Sequence, residues 1–309
     1  MKPRLLIATL SFITLFAVDG ADAQVTPAQV TPAQGIVINP RYLPGQKLSL
    51  QLEIQSDDAR DNSQRKTYHT PISLRVVRKS TTGTQLEWRA GVATKEGGAA
   101  PADPIFEMAE KIFADLRLQV QLDPTGHYLG LRNESELKAR IQEFVTLLAP
   151  QATAKIADPA TRQRAAEAIT KALTPETLLS AARKEIDLFF GISGMRLEAG
   201  KTTRIKSAML NPFGPTGTLD GEMEITPGAP DAATGEMRVG FAQQYDPTLS
   251  YDSAGKSANA DPSQQMSLDD KGEFILDSNT WQVKQVRHVR TIRRNKEAVR
   301  TETTVITVQ

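Results

Sequence analysis

Leu48, Leu50, Leu52 and Ile54 alternate with Ser49, Gln51, Glu53 and Gln55. A period of two gives a strand one apolar face and one wet face. Ile72, Leu74 and Val76 repeat the pattern, as do Leu86, Trp88, Ala90 and Val92. The stretch from Ser56 to Ser63 is almost wholly polar and reads as a loop. Three antiparallel strands are therefore expected between residues 46 and 94.

The period then changes to that of a helix. Asp103-Pro104 places a capping side chain before a proline at the first helical position. Ile105, Met108, Ile112 and Phe113 follow at helical spacing. Leu116, Leu118, Val120 and Leu122 return to alternation, Asp123-Pro-Thr-Gly126 makes a turn, and Tyr128 to Arg132 forms the returning strand. Asn133 with Glu136 three residues on predicts a capping box, ahead of a stripe of Leu137, Ile141, Phe144 and Leu148. Asp158-Pro159 and Thr174-Pro175 open two more helices, the second ending in Phe189-Phe190 before Gly191-Ile-Ser-Gly194.

Beyond Gly200, strand alternation resumes through Leu219, Met223 and Ile225, then Met237, Val239, Phe241 and Tyr245. Residues 246–272 are rich in Pro, Ser, Asp, Gly and Asn and read as a long loop. Phe274 to Asp277, a turn at Ser278-Asn279 and a strand from Trp281 suggest a hairpin. A second turn near Asn295-Lys296 leads to the Thr/Val-rich 299–308 strand. Strands (46–94), a mixed and helical middle (103–190) and strands again (201–309) indicate an α+β fold without βαβ units. The expected architecture is one large curved antiparallel sheet of about 9–11 strands with about four helices inserted in mid-chain. It would occupy residues 36–309 as a single domain.

Ahead of that domain, the basic start Met1-Lys-Pro-Arg4 precedes the uncharged apolar run Leu5–Val18. Ala21-Asp-Ala23 then offers small residues to a signal peptidase. This predicts cleavage between Ala23 and Gln24 and export to the periplasm or beyond. The 14-residue apolar run is too short to span a bilayer comfortably, so no transmembrane span is expected after processing. Two copies of Gln-Val-Thr-Pro-Ala, at 24–28 and 29–33, bury little and make residues 24–35 a flexible spacer.

The absence of cysteine excludes disulfides, thiol catalysis, Cys-bound zinc and a lipidated N-terminal cysteine. His69, His127 and His288 are scattered and give no metal-ligand frame, so no metal, cofactor or catalytic residue is assigned. Gly194–Thr202 has five residues between its glycines where a P-loop has four, and Gly191-Ile-Ser193-Gly194 lacks the spacing of a nucleophile elbow. Both read as turns closing a helix and opening a strand. Asp57-Asp58 and Asp269-Asp270 read as solvated loop charge.

Charge is uneven along a chain whose net charge is +1. Trp281–Thr301 carries Lys284, Arg287, Arg290, Arg293, Arg294, Lys296 and Arg300 against Glu297, whereas 207–237 carries five acids and no base. One expectation is that the two segments neutralise each other across the sheet. The other is an anion-binding face built on Lys284, Arg287, Arg290, Arg293 and Arg294. Near-neutral overall charge argues against nucleic acid.

Tyr42-Leu-Pro-Gly45, Leu122-Asp-Pro-Thr-Gly126 and Leu276-Asp-Ser-Asn-Thr280 resemble phrases of exported bacterial proteins of unknown function. The expected architecture is similar to the periplasmic lipoprotein-carrier fold, an unclosed antiparallel barrel with helices in its mouth. A curved sheet with helical cover, in an exported chain without a catalytic set, points to a non-enzymatic protein binding a lipid, another apolar or amphipathic ligand, or an envelope partner. Trp88, Phe189, Phe190 and Trp281 are the candidate aromatic lining, although an ordinary core would use the same residues. A hydrolase with dispersed Asp and Glu, and an envelope scaffold acting through the basic hairpin, are the alternatives.

Overall fold

In the computed structural model, residues 35–58, 65–96, 116–172, 174–210, 218–245, 266–294 and 297–309 are described. Short β1 (Ile36–Val37) pairs with β8 (Arg196–Leu197). All other strands join one 12-stranded antiparallel sheet, not closed into a barrel. Its first run is β2 (Lys47–Asp58), β3 (Lys66–Ser80), β4 (Gly83–Ala90), β5 (Thr94–Lys95), β6 (Leu118–Leu122) and β7 (Tyr128–Leu131). The second run is β9 (Thr203–Leu210), β10 (Thr218–Pro227), β11 (Glu236–Tyr245), β12 (Met266–Asp277), β13 (Val283–Arg294) and β14 (Glu297–Val308). The two runs meet where β14 pairs with β2, giving the order β7-β6-β4-β3-β2-β14-β13-β12-β11-β10-β9, with β5 beside β3.

Helices α1 (Glu134–Thr153), α2 (Pro159–Ala172) and α3 (Pro175–Phe190) lie between the two runs. Three helices are thus found among the described residues. The helix expected from Asp103 falls outside them, as do the processing site and the Pro-rich repeats. Asp158 caps α2, its Oδ2 accepting the Thr161 backbone N–H at 2.9 Å. Asn133 does stand at the N-cap of α1, but the capping box does not form. Its side chain binds β6 and its approach instead, accepting from the Gln119 N–H at 3.0 Å and donating to the Arg117 carbonyl at 2.8 Å. An N-cap side chain that bonds a neighbouring strand ties the helix to the sheet.

One sheet face carries the core, as period-two alternation dictates. Leu50 and Leu52, Leu74 and Val76, Leu86 and Trp88, Met237 and Val239, and Phe274 and Leu276 are all buried on it. The α1 stripe Leu137, Ile141, Phe144 and Val145 and the α3 stripe Leu178, Leu179, Ile186 and Phe189 join the same core. Helix α3 is about 24 Å long. Its C-terminal end meets Trp88 of β4, and its middle meets Glu302 of β14.

The long loop expected at 246–272 is corrected at its end. Met266 already begins β12, and residues 266–272 pair with β13, joined by β11 from Leu268 onward. Polar Ser267, Asp269 and Lys271 masked a strand whose other side holds Leu268, Asp270 and Phe274. Trp281, expected to open the next strand, sits in the preceding turn at φ 58°. Asp277 holds that turn, its Oδ1 accepting the Asn279 and Thr280 N–H groups at 2.8 and 2.9 Å.

Candidate functional site

The core-facing side of the sheet is not apolar throughout. One rung of register partners runs Gln243 (β11), Asp270 (β12), Arg290 (β13), Glu302 (β14) and Ser56 (β2). The adjacent rung runs Phe241, Gly272, His288, Thr304 and Ile54. Gln243, Asp270, His288, Arg290, Glu302 and Thr304 are all buried. The sheet therefore buries a band of polar and charged side chains beside its apolar core, and such groups must find partners.

Arg290 donates to Asp270 through Nε at 2.6 Å and through Nη2, a two-pronged pair only 2% exposed on the arginine side. From α3, Lys184 donates to Glu302, which also takes Nη2 of Arg300 at 3.1 Å. His288 Nε2 lies 3.4 Å from Asp270 Oδ1. Burial opposes ionisation of Asp270, but the Arg290 charge and hydrogen bonds prevail and hold its carboxyl well below the usual range. Glu302 is held down in the same way against burial, chiefly by Lys184. Burial pushes His288 below its ordinary value, so the imidazole is neutral near pH 7, despite the opposing pull of Asp270.

Gly272 shapes this band. A Cβ there would stand 2.2 Å from the Arg287 carbonyl oxygen and 2.5 Å from the Phe241 ring. The missing side chain lets that ring cross the rung and stack on His288, with centroids 5.9 Å apart. A second buried charge lies on α3 itself. Asp187 pairs with Arg183 Nε at 3.0 Å, yet burial pushes its carboxyl up to about 7.

The helices flank a different feature, open to solvent. Thr146, Ala149 and Pro150 of α1 face Gln163, Ala166, Glu167, Thr170 and Lys171 of α2 across a groove of about 510 Å³. Its walls are chiefly apolar. Helix α2 packs against α1, and none of its described side chains is fully buried.

The candidate aromatic residues separate. Trp88, Phe189 and Phe190 come together in the core, with centroids 5.7 Å apart for Trp88–Phe189 and 5.1 Å for Phe189–Phe190. Tyr128 stacks on Phe190 at 5.9 Å. Trp281 is half-buried at the β12–β13 turn and packs against the edge of the same core. The basic residues also divide, because β13 alternates. Arg290 is buried on the core side, and Arg293 meets Asp269 at 2.7 Å on the outer face. Lys284 meets Glu236 at 2.7 Å. Arg287 and Arg294 are exposed and make no ion pair among the described residues.

Mutual neutralisation of the basic hairpin and the 207–237 acids is therefore overturned in its details. Lys284 reaches that segment at Glu236, but Arg290 and Arg293 instead meet Asp270 and Asp269, because β12 stands between β11 and β13. The acids of β10 face other neighbours, as in Arg204–Glu224 at 2.7 Å. Asp270, taken from sequence for loop charge, is a buried partner instead. Sequence reading also passed over Lys184, Asp187 and Glu302. A usable signal existed: Val286, His288 and Arg290 share one alternation phase, as do Glu302, Thr304 and Ile306. Charged residues in phase with buried aliphatics mark an internal polar band. Among the described residues, no three His, Asp or Glu side chains gather as a metal site would require.

No family model and no curated protein matches the chain. Among solved structures, the chain is similar to one of lipovitellin, described by its lipid–protein interactions, at 6% identity and a TM-score of 0.39. The match covers 86% of this chain but 25% of the lipovitellin chain, so the protein spans about a quarter of that neighbour's length.

Proposed function

We propose that the chain is exported to the periplasm or beyond as a non-enzymatic protein that binds an apolar or amphipathic ligand. The observation carrying this reading is the groove of about 510 Å³ between α1 and α2. Its volume falls within the roughly 300–1,000 Å³ of small-molecule sites, and its mainly apolar walls suit a hydrocarbon surface. Helix α2 is a roof that can shift at low cost, because no described side chain anchors it in the core. No helix among the described residues is long and apolar enough to cross a membrane. The basic start, apolar run and Ala21-Asp-Ala23 support export.

Native mass spectrometry of protein purified without detergent should reveal a copurified lipid or other apolar small molecule, and a fluorescent fatty acid should bind the emptied protein. Ala166→Trp would fill the groove from its half-buried wall and should weaken that binding at least tenfold, about 1.4 kcal/mol, with little change in melting temperature. A ligand-free spectrum together with no fatty-acid binding would end this reading.

A further inference from the structure

The polar band on β13 and β14 contains groups that its ion pairs do not use. His288 Nε2, Arg290 Nη1 and Thr304 Oγ1 are each buried and lack a hydrogen-bond partner among the described residues. Their parent side chains are 2%, 2% and 1% exposed. His288 and Thr304 are direct register partners, and Arg290 follows two residues along β13 on the same face. His288 and Thr304 therefore lie about 5 Å apart at Cβ, and Arg290, diagonal to Thr304, lies roughly 7 Å away, within reach of its long side chain. Leaving one such atom unpaired costs roughly 1–3 kcal/mol. Three in adjoining positions call for a common partner.

The donors define that partner. Arg290 already holds Asp270 through Nε and Nη2, so Nη1 is the one guanidinium nitrogen left to bind something else. At 3.4 Å from a carboxylate oxygen, His288 Nε2 carries its proton, since a lone pair there would be repelled. The approach falls short of a hydrogen bond and leaves that proton to a better acceptor. The Thr304 hydroxyl can donate as well. Arg290 and Lys184 match the charges of Asp270 and Glu302, and Arg300 adds a cation beside Glu302. Three N–H and O–H donors, one of them cationic, suit an acceptor that has several lone pairs and a negative charge. We infer that His288, Arg290 and Thr304 form a buried carboxylate-binding site on the core face of β13 and β14. It shares no residue with the α1–α2 groove and stands whether or not that groove holds a ligand.

The test follows the His288 ring. In protein labelled with ¹⁵N-histidine, acetate should shift the His288 Nε2 resonance saturably while His69 and His127 stay in place. If the carboxylate is instead the head of an amphiphile, laurate will produce the shift and acetate will not. Either response supports the site. Thr304→Val removes the unpartnered hydroxyl at nearly constant shape, so the protein without ligand should be as stable as wild type or more so. Its affinity for the responding carboxylate should fall about tenfold, and Arg290 and His288 remain in place to report it. A His288 resonance insensitive to both compounds, or undiminished carboxylate affinity in Thr304→Val, would overturn the inference and leave ordered water as the partner of these atoms.

Discussion

Arg290 shows how strongly one side chain can depend on another. Its guanidinium and the Asp270 carboxylate are both buried and are each other's main compensation. Replacing Arg290 by Met removes the cation and strands the carboxylate, which should cost about 3–5 kcal/mol in chemical denaturation. Adding Asp270→Leu should recover most of that loss, because an apolar pair of similar volume does not need to be solvated. A double variant no more stable than Arg290→Met would show that the charge pair is not the source of the cost. Gly272 is a second sensitive position. Ala there would press a methyl group against backbone at 2.2 Å, where no rotamer change can relieve it. Gly272→Ala should lower the melting temperature by more than ten degrees, and an unchanged melting curve would contradict the close approach.

At the scale of elements, α3 links the apolar and polar halves of the sheet face. Phe189 and Phe190 join the aromatic cluster, while Lys184 reaches Glu302. Asp187 gives this helix a pH signature. Burial raises its carboxyl from 3.8 to about 7, and Arg183 offsets only part of that. Between roughly pH 4 and pH 7, the folded chain then binds more protons at this position than the unfolded chain. The contribution of Asp187 to stability is full below pH 4 and is lost as the pH rises through 7. His288 acts oppositely, because its buried neutral ring is favoured as pH rises to its ordinary 6.5. Asp270 and Glu302, held low, contribute above pH 4 and lose that contribution in acid. Asp187→Asn isolates one carboxyl from the others: the melting temperature of the variant relative to wild type should climb steadily from pH 4 to pH 7. A constant difference would rule out the raised value.

For the whole molecule, the decisive feature is the union of the first and last strand runs at the β2–β14 pair. The chain places β2 before every described helix and β14 after them, so the sheet's centre closes through contacts distant in sequence. The export reading is tested at this scale as well. Intact-mass analysis of a periplasmic fraction should find a chain beginning at Gln24, and full-length chain held in the membrane would contradict processing after Ala23.

By itself, the sequence determined the α+β class, the open antiparallel sheet's main strands and the two proline-initiated helices at 159 and 175. These follow from local periodicity and capping chemistry, which act within a few residues. Only tertiary structure decided that Asn133 would serve β6 and not its own helix, that polar 266–272 would form a strand, and that Asp270 would be buried. Each of those outcomes depends on a neighbour remote in the chain: Gln119 for Asn133, β11 and β13 for β12, Arg290 for Asp270. The hydrogen bond or ion pair that makes a polar residue worth burying is absent from the local pattern, which registers only its polarity.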